Sequence, residues 1–289
     1  MANPSTQFVW LITGTSSGFG RDLAVAALKR GDKVIATARG RSLGKLGDLK
    51  AQGADVLELD VTAPFGKIQE VAKNANAIHG KIDVLVNNAG YILVGAMEEN
   101  TPEETLQQFH TNVFGGLNIA RAVLPYMRAR KTGTVVWYGS LGGWRAVPNA
   151  GLYCATKYAL RGIGETLHAE ISPLGLRSLV IEPGYFRTEF LAADNRAPQV
   201  SRIADYKPMT EKANEALLAY NGKQPGDPKK GVEVIIDVIK QEGLAKGKEP
   251  PVVLPLGSDC LAVVQNSCQN TLKTLEEWKD VIVSTDFPK

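Results

Sequence analysis

The first part of the chain alternates short, nearly continuous apolar runs with longer segments in which apolar residues recur at helical spacing. Six of the apolar runs have the length and composition of buried strands: residues 8–13, 33–38, 55–59, 82–86, 134–138 and 177–181. Strands of a parallel sheet that is covered on both faces show such unbroken runs, and the intervening helices supply the crossovers. The pattern therefore predicts an α/β fold with a doubly wound, mostly parallel sheet of the Rossmann type.

The pattern changes after the sixth predicted strand. Residues 182–208 contain three prolines and show no clear periodicity, which in a compact domain is typical of a loop that binds a ligand. Beyond this substrate loop, helices are predicted at 210–220 and 228–242, a final edge strand at 251–254 and a C-terminal helical extension at 257–283. No linker divides the chain, so we expect residues 1–289 to form a single domain.

Composition and charge narrow the class of protein. Hydrophobic residues make up 44% of the chain and charged residues 22%, as in ordinary globular domains, and a net charge of +3 is too small to favour nucleic acid. No apolar run is long enough to cross a membrane, and the uncharged N-terminus lacks the features of a secretory signal. Neither the three cysteines nor the three histidines occur at metal-ligand spacing. We therefore expect a cytoplasmic protein without a metal, a nucleic-acid partner or a membrane span.

A glycine-rich turn, Thr-Gly-Thr-Ser-Ser-Gly-Phe-Gly at 13–20, joins the first predicted strand to a helix predicted at 21–30. Glycines allow a tight turn and a close approach to a pyrophosphate, and the helix N-terminus offers free N–H groups and the positive end of its dipole. An isolated match of this kind can be a plain tight turn. Its position between a strand and a helix favours dinucleotide binding.

The end of the second predicted strand indicates which dinucleotide binds. NAD-specific sites place a carboxylate there for the adenosine ribose hydroxyls, whereas this chain ends the strand with Thr37, Ala38 and Arg39. A guanidinium matches the geometry of a phosphate group, so Arg39 is a candidate ligand for a 2′-phosphate. The alternative is a solvated surface arginine. The position of Arg39 favours the first interpretation and predicts NADP(H) as the cofactor.

Two further segments follow predicted strands at the edge of the sheet where nucleotides bind. Asp60 could accept a hydrogen bond from the adenine amino group, although helix caps and turns also favour aspartate. Residues 87–90, Asn-Asn-Ala-Gly, end the fourth predicted strand. Small residues and amides suit the close approach of a ligand, and they also suit a plain turn.

The candidate catalytic residues are Ser140, Tyr153 and Lys157. Ser140 follows the fifth predicted strand, Tyr153 comes 13 positions later, and Lys157 lies one helical turn beyond Tyr153. A tyrosine with a pKa of about 10 is a poor base, but a neighbouring ammonium favours the phenolate. The pair is therefore suited to proton transfer near neutral pH. A tyrosine and a lysine at this spacing are often an ordinary surface pair, and it is Ser140 and the glycine-rich turn that disfavour this alternative.

Together these elements resemble the short-chain dehydrogenase/reductase family in its single-domain branch. The matching positions run in family order: residues 13–20, Asp60, 87–90, Asn112, Ser140, Tyr153, Lys157, Pro183, Gly184 and Thr188. The resemblance implies that Tyr153 is the general acid in reduction and the general base in oxidation. It also implies that Lys157 binds the nicotinamide ribose and lowers the pKa of Tyr153, that Ser140 orients the carbonyl, and that Asn112 holds a water linking Lys157 to solvent.

The resemblance further implies a set of cofactor-binding residues along the carboxyl edge of the sheet: Gly14, Thr15, Ser17, Gly18, Phe19, Gly20, Arg39, Asp60, Val61, Asn87, Ala89, Gly90, Tyr153, Lys157, Pro183, Gly184, Phe186 and Thr188. Asp60 and Val61 would flank the adenine, and Thr188 would lie near the carboxamide. Two positions depart from the family pattern. Ser17 stands where some NADP-dependent relatives carry a basic residue, and Gly139 stands where many relatives carry serine.

Residues in the predicted loops around Tyr153 form the candidate substrate pocket: Trp144, Val147, Tyr185, Leu191, Tyr206 and Met209. Their apolar character favours a bulky ketone, aldehyde or secondary alcohol, although each could instead pack against the core. The function implied is that of an NADP-dependent carbonyl reductase or alcohol dehydrogenase, and the alternative is a catalytically silent NADP-binding sensor or scaffold. Family members often pair the helices corresponding to 101–130 and 151–174 between subunits, which implies a homodimer or homotetramer.

Overall fold

A computed structural model describes residues 7–191 and 200–287 of the chain. Its centre is a seven-stranded sheet in the order β3-β2-β1-β4-β5-β6-β7, and every neighbouring pair is parallel. The strands are β1 (Val9–Ile12), β2 (Lys33–Ala38), β3 (Asp55–Glu58), β4 (Val84–Asn87), β5 (Thr134–Tyr138), β6 (Arg177–Pro183) and β7 (Val253–Leu256). The predicted α/β fold is confirmed, and the last predicted strand lies at the sheet edge, as expected.

Helices connect the strands and extend the chain at its C-terminus. They are α1 (Gly18–Lys29), α2 (Gly40–Leu43), α3 (Gly47–Ala51), α4 (Phe65–His79), α5 (Pro102–Phe109), α6 (Gly116–Arg130), α7 (Gly151–Ile171), α8 (Lys207–Tyr220), α9 (Pro228–Lys240), α10 (Ser258–Glu277) and α11 (Lys279–Val283). No helix in the described ranges is both long and apolar enough to cross a membrane.

The sheet is buried on both faces because successive residues of each strand point to opposite sides. Along β1, Trp10 and Ile12 pack into a core formed with α1 and α9, whereas Val9 and Leu11 pack into a second core formed with α4, α6 and α7. This two-sided burial accounts for the unbroken apolar runs in the sequence. The strand order changes direction between β1 and β4, and in such sheets ligands bind outside the carboxyl ends of the strands at that point.

Several boundaries differ from those predicted. The first helix begins at Gly18 rather than Arg21, because the end of the glycine-rich turn forms the first helical turn. Helix α8 begins at Lys207, since a proline such as Pro208 is tolerated in the first turn, where its missing N–H would be unpaired anyway. Strand β6 extends to Pro183, so the predicted substrate loop is shorter than 182–208, and residues 192–199 of it lie outside the described residues.

The helical run predicted at 101–130 is interrupted. Helix α5 begins with a capping box in which Thr101 and Glu104 exchange hydrogen bonds, and it is followed by a π-helical turn at His110–Gly115 before α6. Such turns widen a helix and are frequent at functional sites. At Gly115 an added Cβ would lie 2.8 Å from the Val61 carbonyl oxygen, so glycine allows this wide turn to approach the end of β3.

Candidate active site

A cavity of about 1020 Å³ opens along the carboxyl edge of the sheet, at the point where the strand order reverses. Its wall is formed by the glycine-rich turn after β1 and by the segments that follow β2 to β6. The cavity therefore gathers the motifs that are distant in the sequence. We call the part of the cavity after β2 and β3, which contains Arg39 and Asp60, the nucleotide end. The part near β5 and α7, which contains Ser140, Tyr153 and Lys157, is called the catalytic end.

The glycine-rich turn needs its glycines for backbone reasons. Gly14 and Gly18 have φ values of +70° and +58°, which side chains rarely adopt. A Cβ on Gly14 would lie 2.9 Å from the Ala89 Cα, and one on Gly20 would lie 2.4 Å from Asn88 Nδ2. The Asn88 amide donates to the carbonyl oxygens of Thr13 at 2.8 Å and of Gly14 at 3.1 Å. Asn88 thus fixes the glycine-rich turn. It belongs to the 87–90 segment, but it was not among the site residues predicted from the sequence.

The N-terminus of α1 faces the cavity through Ser17, Gly18 and Phe19. No acidic residue occurs in its first turn, and the Ser17 hydroxyl makes no capping hydrogen bond. The free N–H groups and the positive end of the helix dipole are therefore available to an anion. The Phe19 ring packs against Tyr138 and Phe186, with centroids 5.5 Å and 5.0 Å away, and this packing joins the turn to the catalytic end.

Two arginines lie at the nucleotide end. Arg39, which is exposed, and Arg41 both line the cavity together with Ser42, Asp60 and Val61. Arg41 was missed in the sequence, where the only signal is a second cation two positions after Arg39. Burial raises the pKa of Asp60, but hydrogen bonds from Thr62 and the charges of both arginines outweigh it and hold the pKa below its usual value. The Asp60 carboxylate is therefore ionised and accepts hydrogen bonds.

The residues Ser140, Tyr153 and Lys157 are brought together at the catalytic end, where all three line the cavity. The Ser140 hydroxyl oxygen accepts a hydrogen bond from the Gly142 N–H at 3.0 Å and also bonds the Tyr153 side chain. Helix α7 places Lys157 one turn after Tyr153, with Nζ 5.4 Å from the centre of the phenol ring. The Nζ donates to the Tyr138 carbonyl oxygen at 2.7 Å, which ties α7 to the end of β5.

Burial controls the pKa values of this pair. Burial raises the pKa of Tyr153, and the hydrogen bond with Ser140 only partly opposes it. Burial lowers the pKa of Lys157 to about 8. The implied lowering of the Tyr153 pKa by Lys157 is therefore not seen, because desolvation outweighs other influences and the ammonium bonds Tyr138 instead. The phenol is protonated near neutral pH and can donate a proton.

Asn112 lies on the π-helical turn, behind the cavity rather than in its wall. Its Oδ1 accepts from the Tyr91 N–H at 3.1 Å, and its Nδ2 donates to the Tyr91 carbonyl at 2.9 Å and to the Thr156 hydroxyl at 3.3 Å. The side chain thus ties the segment after β4 to α7. The side chain therefore positions these elements, and the implied role of Asn112 in holding a water stays a prediction.

Three other implied cofactor residues do not line the cavity: Thr15, Gly20 and Asn87. The Thr15 hydroxyl, for example, donates to the Thr37 carbonyl oxygen at 3.1 Å and joins the ends of β1 and β2. The remaining cofactor candidates line the cavity: Gly14, Ser17, Gly18, Phe19, Arg39, Asp60, Val61, Ala89, Gly90, Tyr153, Lys157, Pro183, Gly184, Phe186 and Thr188.

Of the six residues predicted to surround the substrate, three line the cavity and three do not. Val147, Tyr185 and Leu191 line the cavity, whereas Trp144, Tyr206 and Met209 do not. The Trp144 indole N–H donates to the buried Glu182 carboxylate, and the Arg161 guanidinium stacks on its ring at 3.6 Å. The Tyr206 hydroxyl donates to Glu98 at 2.7 Å, and Met209 lies on α8. The sequence placed all three residues in loops. It could not show that Trp144 and Tyr206 donate hydrogen bonds to glutamates or that Met209 belongs to a helix.

The structure adds residues that sequence reasoning missed. At the catalytic end, apolar side chains come from five separate segments: Ile92, Leu93, Ala150, Phe190, Val200 and Leu217. At the nucleotide end, residues after β4, on α5 and on the π-helical turn contribute: Tyr91, Glu104, Gln107, His110 and Thr111. Most of these residues carry no motif, and only their position after the 87–90 segment or on a predicted helix could have indicated them. The lining of the catalytic end is thus mostly apolar. Among the described residues there, Lys157 is the one with a charged side chain.

Comparison with known proteins agrees with this geometry. The sequence profile of the short chain dehydrogenase family matches residues 9–199. The chain belongs to this family. The match spans the glycine-rich turn, the candidate catalytic residues and the Pro183–Gly184 segment. This short chain dehydrogenase is therefore an oxidoreductase by family.

Individual members of the family are similar over nearly the whole chain. Oxidoreductase BOA17 from Botryotinia fuckeliana is 29% identical over 279 residues, which cover 96% of this chain and 98% of that protein. The crystal structure of a short-chain dehydrogenase from Streptomyces avermitilis superposes with a TM-score of 0.84 at 35% identity, covering 98% of this chain and 100% of that one.

Solved structures of this fold contain NAD in one case and NADPH in another. The NADPH complex is that of a variant of actinorhodin polyketide ketoreductase, with a TM-score of 0.71 and 28% identity over 88% of this chain and 97% of that one. Proteins of this fold therefore bind one or the other nicotinamide dinucleotide. Among the described residues, no group of His, Cys, Asp and Glu side chains could hold a metal ion.

Proposed function

We propose that this short chain dehydrogenase uses NADP(H) to interconvert a bulky, apolar ketone or aldehyde and the corresponding alcohol. One observation carries the proposal: Ser140, Tyr153 and Lys157 line the same cavity as the open N-terminus of α1. A substrate carbonyl beside Tyr153 and a dinucleotide on the glycine-rich turn would therefore meet in one space.

The residues of the nucleotide end fit a dinucleotide with an additional phosphate. The Gly14 and Gly18 backbone leaves room at the N-terminus of α1, where no carboxylate competes with a pyrophosphate. Arg39 and Arg41 stand after β2, where a 2′-phosphate would be neutralised by guanidinium groups. These contacts support NADP(H) over NAD(H), as does the NADPH complex of the polyketide ketoreductase.

The chain's own residues handle the proton, while the nicotinamide supplies or accepts the hydride when bound. In reduction, the Tyr153 hydroxyl donates its proton to the substrate oxygen, and burial keeps this phenol protonated until then. The Ser140 hydroxyl lies beside Tyr153 and hydrogen-bonds the same oxygen. The Lys157 ammonium is anchored on the Tyr138 carbonyl and has further N–H groups for ribose hydroxyls.

The apolar catalytic end supports the proposed substrate class. Ile92, Val147, Phe190 and Leu217 come from four separate segments and surround the space beyond Tyr153. Such a surface favours an uncharged, bulky substrate whose carbonyl is its main polar group. The sensor or scaffold alternative requires the fold alone, whereas this chain also has the three residues that move the proton.

We also propose a cytoplasmic, single-domain enzyme that forms homodimers or homotetramers. A shallow apolar groove between α6 and α7, lined by Leu117, Ile163 and Leu167, supports the pairing of these helices between subunits. Phe114 and Tyr158, which are large and exposed, lie close to it in sequence.

The test is to mix the purified protein with NADPH or NADH and a panel of ketones, aldehydes and quinones, and to follow dinucleotide oxidation. We expect the highest kcat/KM with NADPH and a bulky apolar carbonyl. Binding of NADPH without oxidation by any member of the panel would instead support the sensor alternative. A higher kcat/KM with NADH would refute the cofactor proposal and leave the substrate class standing.

A further inference from the structure

The C-terminal helices α10 and α11 carry large apolar side chains that the described part of the chain leaves exposed. On α10, the exposed fractions of Leu261, Leu272 and Leu275 are 54%, 65% and 49%, and the Cys268 thiol is exposed as well. Exposed apolar residues continue from the end of α10 through α11 to the end of the described chain: Trp278, Val281, Ile282, Val283 and Phe287. A continuous apolar surface of this length marks an interaction site.

The base of α10 is held firmly by the body of the protein. The Asp259 carboxylate accepts a hydrogen bond from the Tyr185 N–H at 2.7 Å, and the fully buried Cys260 donates its S–H to the Glu182 carbonyl oxygen at 3.1 Å. The helix is therefore a projecting arm with a fixed origin. The exposed leucines of the helix, its apolar stripe, are not covered by the described body.

Four apolar positions of α10, of which Val264 is half-buried, are spaced symmetrically about Cys268. Val264 and Leu272 lie four residues on either side of it, and Leu261 and Leu275 lie seven residues on either side. At 3.6 residues per turn, these five side chains fall within about 80° of the helix circumference. Two antiparallel copies would place Leu261 beside Leu275, Val264 beside Leu272, and Cys268 beside its own counterpart. This reciprocal matching is what a two-fold interface requires.

The charges of α10 favour the antiparallel arrangement over a parallel one. Beyond its first turn, the charged residues Lys273, Glu276 and Glu277 lie in the C-terminal third of the helix. In an antiparallel pair Lys273 and Glu276 come opposite uncharged positions of the second helix, and Glu277 comes opposite Asp259, whose carboxylate already accepts hydrogen bonds within its own chain. A parallel pair would instead bring both glutamates of one helix against the same two glutamates of the other. Opposed helix dipoles also attract each other.

The same charges disfavour a lipid surface as the occupant. Helices that lie on membranes usually have a basic polar face. Residues 273–287 instead contain four acidic and two basic side chains. An anionic membrane would repel this segment, so a protein surface is the better partner for the stripe.

We propose that α10 is a contact surface for a second copy of this chain, paired antiparallel about a two-fold axis at Cys268. The contact lies on a different element from the α6–α7 groove, so a chain that uses both surfaces joins an assembly of more than two chains. In this pairing Trp278, ten residues beyond Cys268, lies beside the start of α10 in the second copy. The apolar residues of α11 then extend toward the body from which that helix projects.

The first test is oxidation of the full-length protein with copper–phenanthroline, followed by non-reducing electrophoresis and peptide mapping. We expect a reducible dimer that contains a Cys268–Cys268 peptide, because Cys154 and Cys260 are buried. Cys268→Ser should abolish it. As a matched control for random collisions, Asn270→Cys in the Cys268→Ser background places a thiol on the opposite, polar face of the helix. Equal rates of crosslinking at the two positions would overturn the proposal.

The second test fixes the direction of the pair. In the Cys268→Ser background, Val264→Cys and Leu272→Cys should crosslink when the two variants are mixed. Each alone should not, because identical positions would then lie eight residues apart along the pair, or about 12 Å, and a disulfide needs Cα atoms within about 7 Å. Self-crosslinking of Val264→Cys would show a parallel pair and refute the arrangement.

The third test measures mass by light scattering over a range of protein concentrations. A Leu272→Glu, Leu275→Glu double variant, with its fold checked by circular dichroism, should contain half as many chains per particle as the wild type. An unchanged mass, or a wild type that stays a monomer at every concentration, would overturn the proposal. Wild-type binding to anionic phosphatidylserine vesicles that the double variant loses would assign the stripe to a lipid surface instead.

Discussion

Tyr153 and Lys157 lie one helical turn apart on α7, and burial changes their two pKa values in opposite senses. It raises the pKa of the Tyr153 phenol and lowers that of the Lys157 ammonium to about 8. Both shifts favour the neutral form of the side chain. In the free enzyme, Tyr153 is therefore a protonated acid well above neutral pH, whereas Lys157 loses its charge at mildly alkaline pH.

This difference predicts the pH dependence of reduction. We expect kcat/KM to fall as pH rises through about 8, because the Lys157 ammonium is then deprotonated and becomes neutral. Tyr153 stays protonated over the same range. A free-enzyme pKa appears in kcat/KM. Lys157→Arg, which stays protonated throughout, should move the falling limb to higher pH at a lower maximum rate. A limb at the same pH in this variant would show that another group titrates.

The proposed preference for NADP(H) rests on Arg39. We expect Arg39→Ala to raise KM for NADPH by about 10- to 100-fold, since hydrogen bonds to charged groups contribute about 1.5–3 kcal/mol. KM for NADH should change little. Arg21→Ala is the control, because Arg21 pairs with Asp48 and lies outside the cavity wall. An equal rise in KM for NADPH and NADH would show that Arg39 does not bind the 2′-phosphate.

At the scale of elements, the close packing of α7 on β6 positions the catalytic end. A Cβ on Gly164 would lie 2.2 Å from Val180 Cγ2. Gly164→Ala should therefore destabilise the protein by about 1–3 kcal/mol through overpacking and lower kcat by displacing Tyr153. In Gly66→Ala on α4 the new methyl meets nothing within 4 Å, so the free energy of unfolding should stay equal or rise slightly. Urea titrations of both variants decide the matter, and equal stabilities would refute the packing argument.

The junction of β7 and α10 holds the Pro183–Gly184 segment in the same way. Asp259 accepts the Tyr185 N–H and lies so close to Gly184 that a Cβ there would be 2.0 Å from its Oδ1. Asp259→Ala should leave that N–H unpaired, at a cost of about 1–3 kcal/mol, and raise KM for NADPH. Asp280→Ala, in the exposed first turn of α11, is the matched control. A normal melting temperature and KM in Asp259→Ala would show that the junction does not position the loop.

At the scale of the whole molecule, the sheet was predictable because its strands are buried on both faces and so leave unbroken apolar runs. The same logic placed Gly14, Asp60, Ser140 and Tyr153 at one edge, since the carboxyl ends of parallel strands meet there.

Other features could not be predicted from local patterns. The wide turn that carries Asn112 depends on the contact of Gly115 with Val61, which is 54 positions away in sequence. Trp144 was predicted to line the substrate pocket, but its indole N–H donates to Glu182, a partner that local sequence does not indicate. The direction of the Tyr153 pKa shift was also wrong, because burial cannot be read from the spacing of two residues.

The central claim, that Tyr153 transfers the proton in the reduction of a carbonyl, is tested most directly by Tyr153→Phe. The variant removes one hydroxyl from a packed side chain and leaves the glycine-rich turn, Arg39 and Lys157 in place. The measurement is NADPH oxidation with the best carbonyl substrate, alongside the Kd of NADPH from fluorescence titration. We expect kcat to fall by at least about 100-fold, the usual contribution of a general acid, with a nearly unchanged Kd. Turnover close to that of the wild type would contradict the claim.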